Sequence, residues 1–331
     1  MDRSIRIALP SKGLLAEGSK KLLADVGLSV YSPNPRQYIA LIPSLPGIEV
    51  IFQRPSDIVI SVRDGSVDFG ITGRDVFLEK DDSNGRILEL HSRLGFGKCS
   101  LNVIVPDAWA EINAVDDLVK LQGDLGRALK IATKFPRLTT DYFQEYAELE
   151  IKVIRAEGTI EIAPTVGYAD LVVDLVSTGT TLRDNRLKIL DGGKIIDSQA
   201  CLISNKNRLQ VHEETLEVAT HLLELIGAYL TATENLAVFA NIRGESPEVI
   251  AAKIFKKDVL RGLQGPTISK ILNHTEGSWY AIHLIVQKTE LQKAIRQIRE
   301  VGGSGVVVCP INYIFEEEPL ELSRMHSALE K

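Results

Sequence analysis

Short apolar runs that alternate with segments of helical period constrain this chain more than any other feature of its sequence. Residues 5–9 form such a run, a helix-period stretch follows from about 14 to 26, and a second run stands at 28–31. The grammar returns at 130–133, 138–147, 151–154 and 171–175. Strand, helix and strand in that order stack into α/β layers, for which mainly parallel strands are expected, and ligands then gather at the strands' carboxyl ends. Two further strand candidates, 187–190 and 195–203, precede a longer helical stretch at 211–230, with Leu216, Ala219, Leu223 and Ile226 along one stripe. Beyond this connecting helix the order becomes strand 236–241, helix 247–255, strand 267–272, strand 279–286, helix 291–301 and strand 305–309. That is the βαββαβ order of a ferredoxin-like module.

A chain of 331 residues, 44% of them hydrophobic, has material for two or three packed domains. Its net charge of -6 offers no basic footprint for nucleic acid, so an anionic ligand must be held by local groups. Asp2, Arg3, Arg6, Lys12, Glu17 and Lys20 interrupt the opening segment, and no later run approaches a membrane span, so a cytoplasmic protein without a membrane partner is expected. Cys99, Cys201 and Cys309 lie far apart and read as reduced, buried filler. His91, His212, His221, His274, His283 and His326 show no metal-ligand spacing. The acid runs at 81–82, 116–117 and 316–318 read as solvated faces.

Chemistry concentrates at 169–182, where an apolar strand ends in Asp174 and passes into Ser177, Thr178, Gly179, Thr180 and Thr181 before a helix. Converging backbone N–H groups, a helix N-terminus and four hydroxyls suit a phosphate, and Gly179 allows close approach. Asp174 could reach sugar hydroxyls or a magnesium ion carried by a pyrophosphate. The plain alternative is a strand-to-helix turn with its N-cap. Nucleotide-hydrolase and dinucleotide fingerprints are absent from the sequence.

Residues 157–164, 167–170 and 174–182 together resemble the signature of ATP phosphoribosyltransferases, and the likeness extends to 8–13, 54–58, 67–73, 97–99 and 266–268. The resemblance implies a two-lobed catalytic part shaped like a type II periplasmic binding protein. Its first lobe would span 1–99 plus 190–208 and its second 100–189. A connecting helix at 209–231 and a regulatory domain at 232–331 would follow, as in the family's long form. The implied reaction joins adenine N1 of ATP to phosphoribosyl pyrophosphate, with Mg2+ neutralising the leaving pyrophosphate, as the first step of histidine biosynthesis.

On this resemblance Asp174, Ser177, Thr178, Gly179, Thr180 and Thr181 hold the phosphoribosyl group, and Asp174, Arg54 and Glu161 are the catalytic candidates. Lys12, Arg54, Asp68, Gly73 and Lys98 are expected at ATP. The charged members could equally be solvated surface residues, Gly73 a tight turn, and Glu161 a first-turn acid. Leu14 stands where the family commonly has Arg, so a contact made by that Arg does not carry over. No metal held mainly by protein is expected, although Asp174 or Glu161 could reach one through water. Histidine is the implied inhibitor, at Asn241, Thr267 and Gly305, in a homo-oligomer that shifts between dimer and hexamer without a separate regulatory subunit. A non-catalytic binding or regulatory protein on the same two-lobed fold remains the alternative, because fold does not determine function.

Overall fold

The computed structural model describes residues 4–34, 37–81, 84–263, 265–272 and 277–330; Asp82 and His274 lie outside them. The chain divides into a unit of residues 1–220 with 321–331 and a unit of residues 221–320.

The first unit is built on two sheets. One runs in the order Ile39–Leu41, Ile48–Gln53, Ile5–Pro10, Phe69–Gly73, Ala200–Asn205, Ile87–His91; the other runs Leu187–Ser198, Cys99–Pro106, Leu171–Val176, Leu129–Thr133, Ile151–Arg155. Helices Pro55–Arg63 and Arg74–Lys80 cover the first sheet, burying Ile58, Val59, Val62 and Phe77 with Ala8, Cys201 and Ile203. On the second, Leu101, Val103, Leu129, Ile131, Leu171 and Val173 meet Leu118, Leu138 and Phe143. Each such fully buried aliphatic side chain contributes about 1.5–3 kcal/mol.

Both sheets are mixed, which corrects the expectation of mainly parallel strands. Parallel pairing is confined to Ile48–Gln53, Ile5–Pro10 and Phe69–Gly73 in the first sheet and to Leu171–Val176, Leu129–Thr133 and Ile151–Arg155 in the second. The strands that carry the chain between sheets, Cys99–Pro106 and Ala200–Asn205, arrive without a crossover helix and run antiparallel to their neighbours.

The anticipated strand 195–203 is cut at Gln199, where the chain returns from the second sheet to the first. Residues 187–198 form one strand of the second sheet, so the return falls later than position 190. The two crossings are stitched together there. Gln199 accepts from Arg74 N through its backbone oxygen (2.9 Å) and from Gly95 N through Oε1 (3.0 Å), while Leu94 N donates to Ala200 O and Ala200 N to Phe96 O, each at 3.0 Å.

Of the run at 28–31 only an isolated bridge from Tyr31 to Leu41 survives. Strands Ile39–Leu41 and Ile48–Gln53 escaped the periodicity, since Pro43, Pro46 and Gly47 break the segment between them. Helix Leu320–Leu329, also unanticipated, groups from Glu321 onward with the first unit and buries Leu322 and Met325.

The second unit follows the expected ferredoxin-like order, with an antiparallel sheet Thr267–Ile271, Trp279–Gln287, Asn235–Arg243, Gly303–Pro310. Helices Pro247–Ile254 and Leu291–Glu300 bury Ile250, Ile254, Ala294 and Ile298 against Val238, Ile282 and Leu284. Ser246 starts the first of them, its hydroxyl accepting from Val249 N ahead of a Pro in the opening turn. Helix Glu213–Thr233 joins the sheets' two regions in sequence, three residues later at its end than its apolar stripe predicted. Among the described residues no helix is long and apolar enough to cross a membrane.

Candidate active site

Strand Leu171–Val176 is buried on both faces at its amino end. Leu171 and Val173 join one core, and Val172 packs on the other face with Ala163, Leu182, Leu187 and Ala132. This second face seats two pieces of backbone beside the strand's carboxyl end: the turn Ile160–Ile162, anchored by Ile160 and Ala163, and the short helix Thr180–Asp184, anchored by Leu182. Between them lies a pocket of about 80 Å³ lined by Glu161, Asp174, Ser177, Thr178, Gly179 and Thr181. Six residues named from the sequence thus meet in one place, with Thr180 at its rim bonded to Thr178 (Oγ1 to Oγ1, 3.2 Å).

The polar groups here are under-used. Asp174 is half-buried and accepts only its neighbour's amide, Leu175 N to Oδ1 at 2.8 Å, among the described bonds. Burial raises its carboxyl above the ordinary aspartate range; the Leu175 amide and the Lys134 ammonium oppose the shift, and Glu161 adds to it. Glu161 Oε2 is buried without a partner. A buried carboxylate oxygen left unpaired costs more than most folds retain, and a ligand would relieve it. Gly179 sits at φ +72°, where a side chain would strain the turn.

In the first lobe, Arg54, Lys12 and Gly73 stand at the carboxyl ends of three adjacent parallel strands. Ser11 N donates to Gln53 O at 2.8 Å, holding the first two ends together. Lys12 and Arg54 are exposed and immediately precede helices Gly13–Asp25 and Pro55–Arg63. Leu14, in the place of the family's Arg, is 78% exposed. Gly73 is buried and required for packing: a Cβ there would stand 2.5 Å from Asp75 Oδ1. Lys98 is exposed at the crossing between lobes, in a cavity of about 600 Å³ with Arg74, Arg93, Ser198 and Gln199.

Asp75 is a cleft acid the sequence reading missed. Its Oδ1 accepts from Ser198 Oγ at 2.6 Å and its N–H donates to the same hydroxyl at 2.9 Å, yet burial still raises its carboxyl. The available signal was its position two residues beyond the strand end, in the first turn of a helix. Cys99, close by, is pushed up to about 11 by burial and by the Asp75 charge, so it stays a thiol. A second overlooked group is Glu79, whose carboxylate bridges the lobes by capping helix Pro136–Phe143: Arg137 N donates to Oε1 (3.1 Å) and Leu138 N to Oε2 (3.0 Å).

Asp68 does not join the cleft, contrary to expectation. It precedes the Phe69–Gly73 strand, at the amino end rather than the carboxyl end, and is fully buried. Arg208 Nε donates to its Oδ1 at 2.7 Å and Arg6 N to its Oδ2 at 2.9 Å, so both oxygens serve the scaffold.

In the second unit Asn241 and Gly305 are neighbours, the Asn241 amide lying 3.6 Å from where a Gly305 Cβ would stand. Thr267 shares that sheet face two strands away and lines a separate cavity of about 420 Å³ with His283 and Phe315. Among the described residues, the cavity that Thr267 lines includes neither Asn241 nor Gly305.

Comparison with known proteins follows the same division of the chain. The family model described as ATP phosphoribosyltransferase matches residues 54–228, and that for the family's C-terminal domain matches 232–313. ATP phosphoribosyltransferase 2, chloroplastic, of Arabidopsis thaliana is 40% identical over 332 residues, 98% of this chain and 80% of the relative. The Methanocaldococcus jannaschii ATP phosphoribosyltransferase is 33% identical over 312 residues, 94% of this chain and 99% of the relative. Among solved structures, a chain of the ATP phosphoribosyl transferase (HisG:HisZ) complex from Thermotoga maritima superposes with TM-score 0.53 at 25% identity, covering 67% of this chain and 98% of that one.

Proposed function

This chain belongs to the ATP phosphoribosyltransferase family, pentosyl-transferring enzymes that open histidine biosynthesis, and from that premise we propose which of its residues perform the transfer. Phosphoribosyl pyrophosphate lies on the second lobe, its 5′-phosphate on Ser177, Thr178, Gly179, Thr180 and Thr181 and its ribose hydroxyls on Asp174. ATP lies on the first lobe, its phosphates met by Lys12, Arg54 and Lys98 and its adenine near Gly73 and Asp75. The observation that carries this reading is the pair of carboxyl groups, Asp174 and the unpartnered Glu161, at the mouth of the hydroxyl-rich loop.

In the transfer the adenine N1 lone pair forms a bond to C1 of the ribose. The bond from C1 to the diphosphate oxygen breaks, its electron pair leaves with pyrophosphate, and the adenine amino group gives up a proton to solvent. Positioning supplies much of such a rate enhancement, as effective molarities show. Asp174 orients the ribose, and Arg54 brings charge to phosphate oxygens, where a bidentate guanidinium suits the geometry. Asp174 and Glu161, two carboxylates on one pocket with an unpartnered Glu161 oxygen, would hold a hydrated Mg2+ ion between them. When bound, that ion would offset charge on the departing pyrophosphate.

The lobes are 1–99 with 199–208 and 100–198, the expected boundary near 190 moving to Gln199; 209–231 connects, and 232–320 regulates, residues 321–331 grouping with the first unit instead. Histidine binds at Asn241 and Gly305, with Thr267 contributing from another copy in a dimer or hexamer that needs no separate regulatory subunit. The C-terminal domain match at 232–313 supports regulation within the chain. Three free thiols suit a reducing, cytoplasmic interior.

The test is chromatographic detection of phosphoribosyl-ATP from ATP, phosphoribosyl pyrophosphate and Mg2+, with pyrophosphatase present, with and without histidine. Product that histidine suppresses is expected. Folded protein that yields none sinks the reading.

A further inference from the structure

Beside the phosphoribosyl loop lies a second cavity, of about 360 Å³, whose cations none of the contacts above employs. Lys134 follows strand Leu129–Thr133 and Arg155 closes strand Ile151–Arg155. These strands are the first and second neighbours of Leu171–Val176, with Val173 paired to Thr133 and Thr133 to Arg155. Parallel strands about 4.8 Å apart therefore set the Asp174, Lys134 and Arg155 ends in a row. Across the cavity stand Ser56, Val76 and Lys80 of the first lobe.

The acids lining the same cavity are Glu79 and Glu157. Glu79 is engaged by the amides of Arg137 and Leu138, and Glu157 lies 3.9 Å from Arg155 on an exposed rim, too far to neutralise it strongly. Among the described residues neither Lys80 nor Lys134 has a side-chain hydrogen bond or ion pair. Two unpaired ammonium groups and a loosely held guanidinium around one cavity form a receptor for a multiply charged anion.

We propose that this cavity takes the diphosphate of phosphoribosyl pyrophosphate, and that Lys134 is a catalytic residue that meets the leaving pyrophosphate, with Arg155 and Lys80 completing the cradle. The inference rests on placing the 5′-phosphate at 177–181. With that phosphate on the loop and the ribose at Asp174, the substituent on C1 runs along the row of strand ends towards Lys134. Charge grows on the diphosphate as the C1–O bond breaks, so a lysine there acts more strongly on the transition state than on bound substrate. The Glu79 cap, tying the helix after Lys134 to the first lobe, holds both walls of the cavity together.

The test compares the full-length chain with Lys134→Met and Lys134→Arg. Calorimetry with inorganic pyrophosphate, ATP and AMP is run beside initial rates and product inhibition by pyrophosphate. Lys134→Met is expected to lose about tenfold or more in pyrophosphate affinity and in kcat, with ATP affinity and melting temperature held and Lys134→Arg recovering part of both, as removal of one charged contact implies. Unchanged pyrophosphate binding in Lys134→Met, or a loss confined to ATP, overturns the inference and in the second case gives the cavity to the triphosphate. A wild type that makes no phosphoribosyl-ATP yet loses pyrophosphate affinity on Lys134→Met would sink the proposed activity and leave the anion site standing.

Discussion

The two ends of the parallel strands treat their acids in opposite ways. At the amino ends, Asp68 and Asp170 each precede a central strand, one in each lobe, and each is held by an arginine: Arg208 on Asp68, and Arg127 on Asp170 through two bonds of 2.7 Å. At the carboxyl ends, Asp75 and Asp174 are pushed upward by burial, and beside Asp174 the Glu161 oxygen has no partner. One edge of each sheet is electrostatically closed and the other left open. The open edge is where a charged ligand gains most, since the fold has already met the desolvation cost.

Removing a partner at the closed edge should give the largest effect. Arg208→Met leaves Asp68 buried beside an apolar group, and about 3 kcal/mol of stability, or roughly 10 °C in melting temperature, is expected to go, with kcat of the folded fraction near wild type. Calorimetry and rates measured on one sample check both halves; a fall in kcat with melting unchanged would break the distinction between edges.

At the open edge the pattern inverts. Asp174→Asn is expected to lower kcat about 10²–10³-fold, comparable to loss of one transition-state donor, without lowering the melting temperature. Nearly full activity would remove Asp174 from the site. A smaller effect belongs to Gly179→Ala, where φ +72° imposes about 1 kcal/mol of strain. The expected reading is a severalfold rise in KM for phosphoribosyl pyrophosphate with KM for ATP unmoved.

The smallest effect tests the comparison most directly, through the pH dependence of melting. Arg127 holds the Asp170 carboxyl below its usual value, so its contribution is present above about pH 4 and fades as pH falls through the depressed value. Asp170→Asn should therefore melt lower than wild type at pH 7 and converge with it in strong acid. Asp174 is raised, so its charged form burdens the fold above the raised value and not below about pH 4. Asp174→Asn should melt at or above wild type at pH 7 and converge on acidification. Shifts of the same sign in both variants would erase the contrast.

What the sequence made legible follows from the same geometry. The 174–181 loop was readable because strand, acid, hydroxyls and glycine are contiguous, and the ferredoxin-like module because each element carries its own period. Asp68 was misread because an acid beside an apolar run looks alike at either end of a strand; only the pairing partners, 62 and 140 residues away, tell which end it occupies. Asp75, Ser198 and Glu79 stayed hidden for a related reason, since their roles arise where segments distant in sequence meet. The mixed sheets escaped because strand polarity depends on how the chain enters a sheet, which hydrophobic period does not encode.

The stitching of the two crossings at Gln199 bears on how substrates find one another. Two independent threads between the lobes would let them slide as well as turn. Pinned at Gln199 and tied a second time where Glu79 caps helix Pro136–Phe143, the two strand-end surfaces are kept opposite one another across a shared cavity. On the proposed assignment of substrates, the phosphoribosyl loop and the first-lobe cations therefore already face each other before either substrate arrives.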